Sequence, residues 1–213
     1  MTYTTNTDDR MIRLYDRLAP VYDRLHQRWL RFAGGEAQAA LEAAVRVGMT
    51  EEAKLLDAGC GTGRFARGLL ACGITPKQIT LLDPSEAMLS RCSDLPVRRS
   101  RGRLEAMPFP DSSFDLVTSA WVVETVSEPS DALRELCRVL RPGGILCLTF
   151  CAEKPFRGFV DWVMYRGLSL RHTGRFLNIE DIKRSLKGAM TCEVQTLPSA
   201  GPAATLIARR CGA

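Results

Sequence analysis

Residues 55–65 read LLDAGCGTGRF, and this stretch decides the fold of the chain. An apolar run ends in Asp57, and glycine then occupies every second position, at Gly59, Gly61 and Gly63. Glycine adopts backbone conformations that other residues avoid, and it lets the main chain approach a ligand closely. A strand, a glycine-rich turn and a helix in this order predict the first crossover of a nucleotide-binding sheet.

The spacing of the glycines argues against two common nucleotide sites. The dinucleotide fingerprint G-x-G-x-x-G would need glycine at position 64, where the chain has Arg64. The phosphate-binding pattern G-x-x-x-x-G-K-[ST] does not occur in the sequence. The turn is therefore expected to hold a ligand other than a dinucleotide or a nucleoside triphosphate.

Short apolar runs alternate with helical patterns along the rest of the chain. We predict strands at 54–59, 78–85, 113–122 and 145–151, and helices at 63–73, 85–92 and 128–144, the last ended by its two glycines. This alternation predicts an α/β fold in which a parallel sheet has helices on both faces. Two further strands, at 191–197 and 203–210, are close enough in sequence to form an antiparallel hairpin.

Helical patterns also flank this core. Residues 8–32 have a helical pattern with a break near Pro20, and residues 34–48 form a second predicted helix. Downstream, helices are predicted at 156–170 and 179–188. We therefore expect one domain with helical additions before and after its core.

Composition limits the class of protein. The chain has 213 residues, of which 46% are hydrophobic, and this suits one globular domain. Its polar N-terminus is unlike a secretory signal, and no apolar run approaches the roughly 20 residues of a membrane span. Eight cysteines without a C-x-x-C pair predict reduced thiols, and two isolated histidines, His26 and His172, argue against zinc. A cytoplasmic location is the expectation.

The glycine stretch resembles the first motif of class I S-adenosylmethionine-dependent methyltransferases. Later motifs of that family resemble ITLLDPSEAML (79–89), LEAMPFPDSSFDLV (104–117) and LRELCRVLRPGGILCL (133–148), so the likeness covers about residues 45–150. It implies a Rossmann-like, doubly wound sheet of seven strands, mostly parallel with a C-terminal antiparallel hairpin. It also implies S-adenosylmethionine as the cofactor and S-adenosylhomocysteine as the product, with no metal.

The resemblance implies a role for individual residues. Asp57 would lie near the methionine portion, Asp83 would bind the ribose hydroxyls, and Ser119 would border the methionine and the acceptor. The implied cofactor-binding residues are Asp57, Gly59, Cys60, Gly61, Gly63, Asp83, Pro84, Met88, Leu104, Glu105, Ser119, Trp121, Tyr15 and Tyr22. The chain departs from the family at Arg103, where relatives usually have an aspartate that accepts from the adenine amino group, because a guanidinium cannot accept.

The N-terminal helical segment has its own resemblance. LYDRLAPVYDRL (14–25) is similar to the Y-D-x-x-A-x-x-Y-D helix of quinone-biosynthesis C-methyltransferases and their type 11 relatives, where it covers the cofactor as a lid. The alternative is an amphipathic helix whose tyrosines are ordinary core residues. The single domain is then divided into a lid (1–35), a cofactor-binding core (45–150), and acceptor-side helices with a closing hairpin (151–213).

Methyl transfer from a sulfonium needs mainly an aligned nucleophile and the exclusion of water. A general base is needed only where the acceptor begins protonated. The candidates are Tyr22, Glu124, His26 and His172, of which Tyr22 and Glu124 are the predicted catalytic residues.

Charge and aromatic residues bear on the acceptor. Between positions 154 and 187 the chain has eight Lys or Arg against three acids, a net charge of +5, together with five aromatic residues. This favours a lipophilic acceptor with an anionic end, either a phospholipid head group or a quinone precursor. The protein is then expected to contact an anionic membrane surface peripherally, on the inner face of the membrane. Residues 119–136 resemble phospholipid N-methyltransferases of the quinone-methyltransferase-like type.

Other acceptors and a different class of function stay open. A small soluble anionic metabolite is one alternative, and a non-catalytic subunit that binds S-adenosylmethionine is another. Nucleic acid is disfavoured, because the basic run RRSRGR (98–103) is short and is expected to be a solvated loop. The N-terminal arginines are spaced as a stripe, but Asp8, Asp9, Asp16 and Asp23 reduce the net charge there to +2.

Overall fold

A computed structural model describes residues 5–153, 175–197, 199 and 202–212. Its strands are β1 (Leu55–Ala58), β2 (Ile79–Asp83), β3 (Arg98–Arg101), β4 (Phe114–Ala120), β5 (Leu140–Cys151), β6 (Cys192–Leu197) and β7 (Ala203–Arg210). Its helices are α1 (Thr5–Leu18), α2 (Tyr22–Trp29), α3 (Gly35–Gly48), α4 (Arg64–Ala71), α5 (Glu86–Ser90), α6 (Pro129–Val139) and α7 (Ile179–Ala189). A π-helical turn, Leu30–Gly34, joins α2 to α3, and a short 3₁₀ turn, Pro76–Gln78, precedes β2.

All seven strands belong to one sheet, in the order β3-β2-β1-β4-β5-β7-β6. Strands β1 to β5 pair in parallel, whereas β7 is antiparallel to both β5 and β6. This confirms the predicted seven-stranded, mostly parallel sheet with its C-terminal hairpin. From β1 the chain order runs to β3 on one side and to β5 on the other, so a crevice forms at the carboxyl end of β1, where such sheets bind ligands.

The core has two layers, one on each face of the sheet. Successive residues of a strand point to opposite faces, so Leu55 and Leu56, both fully buried, belong to different layers. One layer packs against α3 and α4, for example through Leu41 and Leu69. The other packs against α6 and α7, for example through Leu133. Burial on both faces explains why these strands read as continuous apolar runs.

Two sequence predictions are wrong. Residues 98–101, expected as part of a solvated loop, form β3, which pairs with β2 in parallel register from Thr80↔Arg98 to Asp83↔Arg101. An edge strand exposed on its faces needs no apolar pattern, and its arginines discourage pairing with another chain. The helix expected to end at the glycines 143–144 ends at Val139 instead. The next residue, the fully buried Leu140, already belongs to β5 and pairs with Phe114 of β4.

The N-terminal prediction is confirmed. The helical pattern of residues 8–32 breaks between Leu18 and Tyr22, around Pro20, and α3 covers the second predicted helix. The helix expected at 156–170, His172 and the larger part of the basic window lie outside the described residues. Within the described ranges, no helix is long and apolar enough to cross a membrane.

Candidate active site

A cleft of about 670 Å³, including the part open to solvent, lies at the carboxyl ends of β1, β2 and β4 and beneath α1 and α2. Its lining combines main chain from the glycine turn with aromatic, aliphatic and acidic side chains. The lining residues are Met11, Ile12, Tyr15, Tyr22, Gly59, Gly61, Asp83, Pro84, Ser85, Met88, Arg103, Leu104, Glu105, Trp121, Val122, Thr125 and Val126.

The glycine turn faces the cleft with only part of its main chain. Gly59 and Gly61 line the cleft, and both have positive φ, +80° and +54°. The N–H groups of Gly59 and Cys60 donate inward to the Leu82 carbonyl oxygen, at 2.7 and 3.0 Å. Cys60 and Gly63, both expected to bind the cofactor, are outside the lining: a Cβ on Gly63 would lie 2.8 Å from Cys92 Sγ, so glycine there serves packing.

Asp83 stands opposite this turn, at the end of β2. Its Oδ2 accepts from the Gly61 N–H at 2.8 Å, and its Oδ1 accepts from the Ser85 N–H at 2.9 Å. Burial raises the pKa of the Asp83 carboxyl to about 6, although these two hydrogen bonds oppose the shift. Each oxygen keeps a free lone pair, so the carboxylate is held in one orientation and can still accept from a ligand.

Three buried polar atoms next to the cleft lining have no hydrogen-bond partner within the described ranges: Asp57 Oδ2, Ser119 Oγ and Glu124 Oε2. The other oxygen of Asp57, Oδ1, accepts a hydrogen bond from Thr118 Oγ1 at 3.2 Å. The other oxygen of Glu124, Oε1, accepts from the Cys151 N–H at 3.1 Å. Burial raises the pKa of both carboxyls to about 7. Unsatisfied buried polar atoms are uncommon, and such a group beside a cleft indicates a ligand-binding role.

The two predicted lid tyrosines both line the cleft. Tyr15 and Tyr22 meet edge to face at 6.0 Å between ring centroids, and His26 stacks on Tyr22 at 5.6 Å. Burial, and then the nearby Tyr15 and Asp83, raise the pKa of Tyr22 far above its ordinary value. The phenol therefore stays protonated at neutral pH and can donate a hydrogen bond. Burial, aided by Arg64, lowers the pKa of His26 to about 4 and keeps its ring neutral.

Three aspartates at seven-residue intervals attach α1 and α2 to the loops that build the cleft. Asp9 forms an ion pair with Arg103, in the loop after β3. Asp16 accepts from Ser85 Oγ at 2.5 Å in the loop after β2, and Asp23 accepts from Thr62 Oγ1 at 2.5 Å in the glycine turn after β1. We call these three contacts the aspartate latches.

The aspartate latches were not predicted from the sequence. The regular spacing of Asp9, Asp16 and Asp23 was visible, but their partners Arg103, Ser85 and Thr62 are far away in the chain. Arg103, the departure from the family pattern, is thereby explained in part: its guanidinium is engaged by an acid of the lid.

Trp121, which follows β4, has an unusual backbone. Its φ is +63°, a region that bulky residues rarely adopt and that costs on the order of 1–3 kcal/mol. Its Nε1 donates to Gln38 Oε1 at 3.0 Å, and its ring packs edge to face on Trp29 at 5.4 Å. These contacts hold the indole at the cleft against its backbone strain.

The cleft brings together ten of the fourteen residues predicted to bind the cofactor. The ten are Gly59, Gly61, Asp83, Pro84, Met88, Leu104, Glu105, Trp121, Tyr15 and Tyr22. Asp57, Cys60, Gly63 and Ser119 are buried outside the lining, as is Glu124, one of the two predicted catalytic residues.

Comparison with known proteins identifies the family. Residues 56–148 match a methyltransferase domain model. The chain is 33% identical over 188 residues to a ubiquinone/menaquinone biosynthesis C-methyltransferase of Laribacter hongkongensis, an alignment that covers 78% of this chain and 72% of that protein. It is 34% identical over 156 residues to a malonyl-[acyl-carrier protein] O-methyltransferase of Serratia marcescens, covering 68% of this chain and 57% of that one.

A solved structure with the same fold is a Thermotoga maritima protein described as an S-adenosylmethionine-dependent methyltransferase and possible histamine N-methyltransferase. Its TM-score is 0.68 at 24% identity, over 93% of this chain and 99% of that one. The chain spans between 50% and 72% of the length of the curated relatives that it matches.

The chain belongs to the class I S-adenosylmethionine-dependent methyltransferases, of the type 11 kind that includes the quinone-biosynthesis enzymes. The cofactor of this enzyme family is S-adenosylmethionine, which becomes S-adenosylhomocysteine. The family, fold class and cofactor predicted from the sequence are therefore confirmed.

Gly59→Ala tests the glycine turn. The added methyl group would lie 2.3 Å from Val122 Cγ2 on a backbone at φ +80°, so we expect the free energy of unfolding to fall by about 2 kcal/mol or more. Gly68→Ala, on an exposed helical position with nothing within 4 Å, is the matched control and should raise it by about 0.5–1 kcal/mol. Urea denaturation measures both, and equal effects would contradict this account of the turn.

Asp16→Ala tests the central aspartate latch. Loss of the carboxylate that accepts from Ser85 should free α1, and we expect its amides to exchange hydrogen about tenfold faster or more, as suits the loss of one charge-assisted hydrogen bond. Hydrogen-exchange mass spectrometry provides the measurement. Arg13→Ala, an exposed change on the same helix, is the control, and the latch has no such role if both variants exchange alike.

Asp57→Asn tests the cost of burying an ionised carboxylate. Because the pKa of Asp57 is raised to about 7, the folded protein binds this proton more tightly than the unfolded chain does, and stability falls as pH rises from about 4 to 7. The variant should therefore be more stable than the wild type at pH 8, by about 1–3 kcal/mol, and not at pH 5. Thermal denaturation at both pH values checks this, with the exposed Glu51→Gln as control. An equal gain at both values would exclude ionisation as its cause.

Proposed function

We propose that this protein transfers the methyl group of S-adenosylmethionine to a lipophilic acceptor, a quinone precursor or a phospholipid head group. The observation that carries the proposal is the chemistry of the cleft, whose polar groups are few. Most of its lining is aromatic or aliphatic: Met11, Ile12, Tyr15, Tyr22, Pro84, Met88, Leu104, Trp121, Val122 and Val126. Because Pro84, Met88 and Leu104 are assigned to the cofactor below, the acceptor is assigned to the rest of the apolar lining, Met11, Ile12, Val122 and Val126, beside Tyr22 and Trp121.

The residues present fit the cofactor. The oriented carboxylate of Asp83 suits a pair of ribose hydroxyls, which would add hydrogen bonds to its free lone pairs. Asp57 Oδ2 and Ser119 Oγ, which lie behind the lining, suit the amino-acid portion, whose ammonium would reach them through a bridging water. We assign Pro84, Met88 and Leu104 to the adenine. When bound, the cofactor supplies a methyl group that its sulfonium already activates.

The contribution of the protein is then mainly positioning and the exclusion of water. Helices α1 and α2, held by the aspartate latches, cover part of the cleft and limit its contact with solvent. Trp121 and Tyr22 border the same space, and the protonated Tyr22 can orient an acceptor oxygen by donating a hydrogen bond. No covalent intermediate is required.

Proton removal is assigned to Glu124 rather than to Tyr22. The pKa of Glu124, raised by burial to about 7, suits a group that accepts a proton near neutral pH, whereas the pKa of Tyr22 is far too high. Glu124 lies behind the lining, so the proton would reach its unpartnered Oε2 through a bridging water. Tyr22 stays a hydrogen-bond donor.

A soluble anionic acceptor is the second candidate. The Serratia relative is named for an acyl-carrier-linked malonyl group, and the window 154–187 of this chain has a net charge of +5. Such an acceptor would be water-soluble or carried by a protein, so its methylated product would stay in the aqueous phase. A subunit that binds the cofactor without turnover would give no methylated product.

The experiment incubates the purified protein and a total cell extract with methyl-labelled S-adenosylmethionine, then partitions the label between organic and aqueous phases. We expect label in the organic phase, where chromatography separates phospholipid from quinone. Asp83→Ala is the control: its cofactor affinity should fall by about 1–3 kcal/mol, and the label with it. Label confined to the aqueous phase would overturn the lipophilic acceptor, and cofactor binding without any transfer would favour the non-catalytic role.

A further inference from the structure

The outer side of α2 and of the π-helical turn carries two of the exposed large apolar residues of the described chain. Leu25 is 42% exposed and Phe32 is 75% exposed. They alternate with three exposed arginines, Arg24, Arg28 and Arg31. We call these five residues the lid face. An exposed phenylalanine and an exposed leucine among three cations make this surface amphipathic.

The arginines of the lid face have no ionic partner. The side chains of Arg24, Arg28 and Arg31 make no hydrogen bond or ion pair with any described residue. The same holds for the exposed side chains of Arg10, Arg13 and Arg17 on α1. Three exposed arginines elsewhere do have acidic partners: Arg46 pairs with Glu42 at 3.4 Å, Arg134 with Asp131 at 3.0 Å, and Arg184 with Asp181 at 2.7 Å. The exposed Arg64 and Arg91 have none among the described residues, so it is the cluster of unpaired arginines that distinguishes the lid.

Three of the four acids that lower the net charge of this segment bind other parts of the protein. Asp9, Asp16 and Asp23 are all consumed by the aspartate latches, which bind them to Arg103, Ser85 and Thr62. Three of the four acids of this segment are therefore bonded to loops that build the cleft. Its six arginines are exposed and have no ionic partner among the described residues.

We propose that the lid face docks the protein on an anionic phospholipid bilayer. Cationic side chains attract an anionic lipid surface, and an exposed aromatic ring between them can enter the interfacial region. The surface matches that partner in charge and in its apolar centre. The proposal deepens the lipophilic acceptor proposed above, on which its biological purpose rests, but lipid binding can be measured without any methyl transfer.

The position of the lid face relative to the cleft bears on how a lipid acceptor would reach the cofactor. Tyr22 of α2 lines the cleft together with Met11, Ile12 and Tyr15 of the neighbouring α1, so the lid face belongs to the lid that covers the cleft. The lid would therefore lie between the bilayer and the cleft, so that a lipid acceptor needs to move only past α1 and α2 to reach the bound cofactor.

The test is co-sedimentation with vesicles of phosphatidylcholine alone or of phosphatidylcholine and phosphatidylglycerol in equal amounts. We expect the wild type to bind the anionic vesicles only. The variant Arg24→Gln/Arg28→Gln/Arg31→Gln should bind at least about tenfold more weakly, since each basic residue near such a surface is worth roughly fivefold in affinity. Glutamine preserves helix propensity, and an unchanged melting temperature shows that the variant is folded.

A charge-matched control separates docking from net charge. Arg46→Gln/Arg134→Gln/Arg184→Gln removes the same three charges from other exposed positions and should lower binding far less. For the apolar part, Phe32→Ser should weaken binding, whereas Val47→Ser, on an 89% exposed residue of α3, should not.

Three results would overturn the proposal: no binding of the wild type to anionic vesicles, equal losses in the two triple variants, or complete displacement from the vesicles by a single-stranded oligonucleotide at equal phosphate concentration. The last result would show that the lid face prefers nucleic acid. If the wild type binds anionic vesicles but no label enters the organic phase in the methyl-transfer experiment, the lipophilic acceptor is wrong. The proposal that the lid face binds an anionic bilayer is then unaffected.

Discussion

The hydrogen bond from the Gly61 main chain to Asp83 is the interaction on which the site depends. It joins the loops after β1 and β2 at 2.8 Å, beside the boundary between β1 and β4 where the strand order reverses. Asp83 is buried, so its carboxylate has lost most of its hydrogen bonds to water. Among the described residues, the N–H groups of Gly61 and Ser85 are the donors that replace them. Gly61 makes this contact at a φ of +54°, a conformation that other residues rarely adopt. The backbone of the turn therefore favours glycine here, as does the room that glycine leaves for a ligand.

The lid depends on the same loops. Each aspartate latch ends on a loop that carries cleft-lining residues, so the position of α1 and α2 and the shape of the cleft are coupled. The coupling includes charge, since the carboxylate of Asp16 contributes to the raised pKa of Asp83. A lid bonded in this way responds to the state of the site beneath it, and its outer surface is left free for a different partner.

Local patterns predicted most of the fold and of the site. The family and the cofactor were inferred from a resemblance that includes four motifs in register: the glycine turn after Asp57, the acid at Asp83, and the later motifs at 104–117 and 133–148. The sheet was predicted from the alternation of apolar runs with helical patterns. Edge strand β3 was missed, because its pairing with β2 needs no side-chain pattern. The sequence could not reveal that Gly63 packs on Cys92, nor that Asp9 meets Arg103, because both contacts join distant parts of the chain.

The latches also have an order. Counted from the N-terminus, Asp9 engages the loop after β3, Asp16 the loop after β2, and Asp23 the loop after β1. Loss of the Asp9 contact would therefore loosen the lid beside Arg103 and leave the glycine turn held by Asp23.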